Sequence, residues 1–117
     1  MSGDGETAIT TAPRTIVISN DELVHGNIEA WMNIIASYRE RHPDHAVVIF
    51  YEGEPVNNLQ TLFRKGVPNK EAFQLVVETP DGFLKDVPKL FRLLVEGAGP
   101  NYRRYIEKEL HKVLDLF

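Results

Sequence analysis

Two sets of side chains in this sequence have types that could do chemistry. The first is the four histidines, His25, His42, His45 and His111. An imidazole titrates near neutrality and so suits general acid–base work. His25 falls early in a predicted helix and close to the predicted strand ends, which makes it the candidate general base. His42-x-x-His45 spans a proline-containing turn rather than one face of a helix, so the spacing is not that of a metal pair. The second set is carboxylates placed where predicted strands end: Asp21 and Glu22, then Glu52 and Glu54, then Glu78 and Asp81. In a parallel α/β sheet those ends gather at one rim, where ligands collect. Converging oxygens suit a hard divalent cation or a carboxylate pair for proton transfer. The candidate catalytic residues are therefore His25 and Glu52, and the candidate metal ligands Asp21, Glu52, Glu54 and Asp81. Each has a plainer local use as well: Asp21 caps a helix, Glu52 and Glu54 lie in a turn, and Asp81 belongs to a Pro-Asp-Gly turn.

Other chemistries are excluded by composition or pattern. The 117 residues include no cysteine, which removes disulfides, zinc–thiolate sites and thiol nucleophiles and suits a reducing compartment. No Gly-x-Ser-x-Gly elbow is present. Gly97-Ala98-Gly99-Pro100-Asn101 could offer backbone N–H groups to an anion, with Arg103 or Arg104 beside it. No Gly-Lys-Ser/Thr follows that loop, and Gly after one helix with Pro opening the next is ordinary punctuation. Lysine and arginine total 13 against 17 acids, a net charge of −4. That balance argues against nucleic acid as a partner. No stretch approaches a membrane span, and the first residues lack the pattern of a secretory leader. The expectation is a cytoplasmic protein with no cofactor.

The elements that would position these residues are legible as apolar patterns. Residues 1–13 read as a flexible tail that only Ile9 could pin, and residues 14–117 as one domain. Thr15–Ile18 is a short β-branched strand, followed by a helix over 21–41 with Val24, Ile28, Trp31, Ile35 and Tyr38 in one stripe. Residues 46–51 are apolar throughout, which predicts a central strand covered on both faces. Ile16, Ile18, Ile28, Trp31, Ile35, Val47 and Ile49 are expected in the core, and a charge at Val48 is expected to abolish folding. Pro55 opens a predicted helix with Val56, Leu59, Leu62 and Phe63 on its apolar face, closed by Gly66. Residues 71–79 alternate, with Gln74 and Glu78 polar, which suits a strand near an edge. A short fourth strand at Phe83–Lys85 is possible. Asp86 caps a helix with Val87, Leu90, Phe91 and Leu94 inward, and a last helix follows Pro100. In that helix Tyr102 and Tyr105 cannot both face the core.

The order β-α-β-α-β-(β)-α-α predicts an α/β fold, a small three-layer sandwich around a mostly parallel sheet of three or four strands. It resembles the order of the thioredoxin-like fold. At the place of that fold's redox cysteines this chain reads Ser19-Asn20-Asp21-Glu22, so the resemblance implies topology without redox chemistry. Two functional readings follow. The favoured one is a non-catalytic interaction or oligomerisation module of the cytosol, paired as a homodimer through C-terminal helices whose Leu93, Val95, Leu114, Leu116 and Phe117 exceed one apolar face. The alternative is a small enzyme or ligand-binding protein with a metal- or anion-dependent site at the acidic rim.

Overall fold

The computed structural model describes residues 8–17, 24–56, 72–106 and 115–117. Its elements are β1 (Ile9–Thr10), β2 (Arg14–Val17), α1 (Val24–Arg41), β3 (Ala46–Tyr51), β4 (Glu54–Val56), β5 (Ala72–Thr79), α2 (Val87–Gly97) and a 3₁₀ helix (Pro100–Tyr105). β5 is the middle of the sheet. It pairs with β3 on one side and with β1 and β2, end to end, on the other, while β4 extends the sheet beyond β3. Every one of these pairings is antiparallel. The mostly parallel, three-layer sandwich is therefore overturned, and the thioredoxin-like topology with it.

The reason lies first at Glu52-Gly53. Both residues have positive φ, 54° and 81°, the conformation of a two-residue hairpin turn whose twist matches that of its strands. The chain after β3 thus folds straight back as β4, with Tyr51 opposite Glu54 and Ile49 opposite Val56. Pro55 lies in this strand, where a helix start was predicted. In a hairpin closed by the Tyr51–Glu54 pair, position 55 turns its nitrogen to the open edge, where a proline costs no ladder bond. The rest of that predicted helix, with Leu59, Leu62, Phe63 and Gly66, lies outside the described residues, as does Ile18.

Register separates the sheet into two unlike faces. Ile16, Phe73 and Tyr51 align in one row, Arg14, Leu75 and Ile49 in the next, and Val77 with Val47 beyond them. This face carries α1, α2 and the 3₁₀ helix, and Ile16, Ile49, Phe73, Leu75 and Val77 are buried beneath Ile28, Trp31, Ile34, Leu90 and Leu94. Val47 and Ile35 are half-buried against the same core. The opposite face presents Thr15, Val17, Val48, Phe50, Gln74, Val76 and Glu78. No described helix packs there. The alternation of 71–79 therefore marks a central strand rather than an edge, with Gln74 and Glu78 exposed on this second face and Val76 between them buried.

Side chains of α1 hold the chain beyond it. Trp31 Nε1 donates to the Leu94 carbonyl at 2.7 Å and stacks edge-on against Phe73. Asn27 Nδ2 donates to the Gly97 and Gly99 carbonyls at 2.8 and 3.1 Å, supplying the terminal acceptors of α2 with a donor. Asn33 Nδ2 does the same for Tyr105 at 2.8 Å. Tyr102 and Tyr105 are both buried, against expectation. The segment is 3₁₀ rather than α, so residues three apart eclipse and share a face. Tyr102 lies so close to α1 that a Cβ at position 26 would sit 2.3 Å from its ring, which explains a glycine inside a helix.

At the other edge, Ile9 and Thr10 pair with Thr79 and Glu78, so strand structure begins within the stretch read as a tail. Between β1 and β2, Thr11 takes over the ladder: its Oγ1 accepts from Val77 N–H at 2.9 Å, and its N–H donates to the Val77 carbonyl at 3.0 Å. Phe83–Lys85 forms no strand.

Candidate functional site

The polar residues that the fold does bring together are not those of the predicted rim. Thr79-Pro80-Asp81-Gly82 turns the chain at the end of β5, with Gly82 N–H donating to the Thr79 carbonyl at 3.0 Å. At the same end of the sheet, β3 begins opposite Glu78. His45 immediately precedes β3, so antiparallel register sets it beside the Asp81 turn. The last turn of α1 adds Tyr38 and His42, four residues apart and on one face. His42 N–H closes the helix on the Tyr38 carbonyl at 2.9 Å, and His45 N–H returns to the His42 carbonyl at 3.0 Å. This tight return stacks the two imidazoles, with centroids 4.6 Å apart and planes at 18°.

Each ring has a carboxylate. His45 Nε2 lies 2.9 Å from Asp81 Oδ1, and His42 Nε2 lies 2.7 Å from Asp86 Oδ2. The Tyr38 hydroxyl lies 2.7 Å from His45 Nδ1. Burial, and then the charges of Asp86 and Asp81, push the Tyr38 phenol up to about 12. It keeps its proton at neutral pH, and against a neutral His45 it donates that proton to Nδ1. A neutral His45 then carries its hydrogen on Nε2 and donates to Asp81, since an ionised carboxylate only accepts. Asp86 stands at the N-cap of α2 but makes no side-chain cap bond. Its carboxylate is committed to His42 instead.

Hydroxyl, imidazole and carboxylate in series is the connectivity that activates a nucleophile. Here the hydroxyl is a phenol made harder to ionise, not easier. Tyr38 is fully buried, and Phe117 closes over it edge-on with centroids 5.3 Å apart. His45 is 2% exposed. The relay's hydroxyl and imidazole are buried while its Asp81 end is exposed, and what it does is tie the end of α1 to the β5–α2 connection. Among the described residues no three His, Asp or Glu side chains gather as a metal site.

The predicted candidates scatter. Glu52 and Glu54 are exposed at the β3–β4 turn. Asp81 lies at the opposite end of the sheet, because β5 runs antiparallel to β3. The five residue steps from Phe73 to Glu78 alone span about 17 Å. An antiparallel sheet has no single carboxyl rim, and the convergence of Glu52, Glu54 and Asp81 goes with the parallel sheet that would have made it. Asp21 lies outside the described residues. His25 falls in the first turn of α1, with its side chain outside the description. Arg104 pairs with Glu96, while His111 is again outside. Tyr38, His42, His45 and Asp86 were missed as a group. The available signal was a His-Pro-Asp-His turn ending an amphipathic helix, and its carboxylate partners stand 36 and 44 positions away.

Asp81 gives the site a testable pH signature. The Phe83 N–H, first, and then the His45 side chain hold its carboxyl below the usual aspartate value of 3.8. A group lowered in the folded state contributes stability that is present above the unfolded value and is lost as pH falls through the folded one. The melting temperature should therefore fall as pH drops below about 4. In Asp81→Asn that part of the acid slope should shrink, as read by thermal melts from pH 7 to pH 2.5. An unchanged slope would remove Asp81 from the tie.

Comparison with known proteins adds a family. No solved structure matches the chain. An "Uncharacterized protein" of Treponema pallidum (strain Nichols) is 35% identical over 104 residues, which is 88% of this chain and 30% of that protein. The chain thus spans about a third of the length of the relative it matches. A family model described as "Uncharacterised Treponema protein C-terminal domain" matches residues 9–104, from the first paired residue of β1 to the end of the 3₁₀ helix. On that match, and on the identity with the relative, the chain belongs to the Uncharacterised Treponema protein C-terminal domain family.

Proposed function

We propose that this domain is a non-catalytic interaction module that pairs with a second copy of itself through the face of its sheet opposite α1 and α2. The observation that carries this reading is the composition of that face. Val17 is 46% exposed and Val76 is buried, while Val48, opposite Val76, and Phe50, opposite Gln74, are half-buried. Glu78 is the one charged residue in these strand rows of the face. An apolar face almost free of charge is complementary to itself, and closed twofold pairing is the commonest way soluble proteins cover such surface. The sheet edges suit the role less well. Pro13 interrupts one edge between β1 and β2, Pro55 lies in the other, and prolines at edges oppose strand addition.

The C-terminal segment, favoured as the interface on sequence, is partly used up inside the protomer. Leu93 is buried, and Leu116 and Phe117 pack against the protomer's own core. Leu116 N–H donates to Ser37 Oγ at 2.9 Å. Val95, 47% exposed, is left as the outward apolar residue of α2. The reactive residue types support the same reading, because Tyr38, His42 and His45 are spent on one another and on two aspartates. No described helix is long and apolar enough to cross a membrane. The lack of cysteine supports a reducing compartment, and we place the module in the cytoplasm on that ground.

Light scattering at micromolar concentration should give twice the protomer mass. Val17→Glu with Val48→Lys should return it to a monomer with a nearly unchanged melting temperature. Val95→Glu should leave the dimer intact. A strictly monomeric wild type would overturn the proposal.

A further inference from the structure

We draw no further inference here: the strongest candidate, the stacked His42–His45 pair with Asp81 and Asp86 at the C-terminal end of α1, belongs to the site already described.

Discussion

Val77→Asp should leave no soluble folded domain, while Val48→Asp should leave a folded one with at most moderately reduced stability. The two residues are neighbours across the β3–β5 ladder. Val47, not Val48, is the partner of Val77, and Val48 pairs with Val76. Side chains alternate along a strand, so Val77 and Val48 lie on opposite faces. Val77 is fully buried beneath the helices, in a cluster of apolar side chains. An uncompensated buried charge costs several kcal/mol, on the order of the whole stability of a domain this size. Val48 lies half-buried on the face opposite the described helices, where a carboxylate keeps access to water. Soluble expression and circular dichroism of the two variants decide the matter. Equal loss in both would restore a sheet covered on two sides, as the all-apolar run of 46–51 suggests when read alone.

Trp31→Ala should lower stability by about 3–5 kcal/mol, the usual cost of removing a large aromatic from a packed core. The effect combines three losses at one position. Trp31 is 1% exposed, its ring meets Phe73 edge-on with centroids 5.1 Å apart, and its Nε1 holds the Leu94 carbonyl. The last contact joins α1 to α2 beside the Asn27–Gly97 bond, so truncation also frees a buried acceptor. For a domain of this length the melting temperature should fall by about 10–20 °C. Trp31→Phe should restore part of the packing but not the hydrogen bond, leaving an intermediate melt. A loss under about 1 kcal/mol in urea titrations of Trp31→Ala would show that α1 does not clamp α2 in this way.

The sequence was most legible where structure is local. The stripe from Ile28 to Tyr38 marks α1, the 46–51 and 72–79 runs are β3 and β5, and the Pro-Asp-Gly turn and the helix after Asp86 stand where their residue types require. Orientation failed because it was inferred from alternation of strand and helix, and a single tight turn broke that alternation. Gly53 follows an apolar strand and accepts φ of 81°, so a hairpin was as available to Glu52-Gly53 as a crossover. Once β4 returns at once, β5 need not be parallel to β3. Gln74 and Glu78 then take their polarity from their exposed places on the face opposite the described helices. The candidate site was illegible for a different reason. His42 and His45 are brought together by one turn, but their carboxylates arrive through β3–β5 register, which no short spacing encodes.

The lack of cysteine allows the central claim to be tested with one thiol at a time. Val48→Cys places a single thiol near the middle of the sheet face opposite α1 and α2, and Val95→Cys places one on the exposed side of α2. Each protein is treated at micromolar concentration with a short bis-maleimide, and covalent dimer is quantified by intact mass. The account predicts rapid and near-complete dimer for Val48→Cys and only slow, concentration-dependent background for Val95→Cys. Efficient coupling of Val95→Cys with none at Val48→Cys, or background coupling in both, would contradict pairing through that face of the sheet.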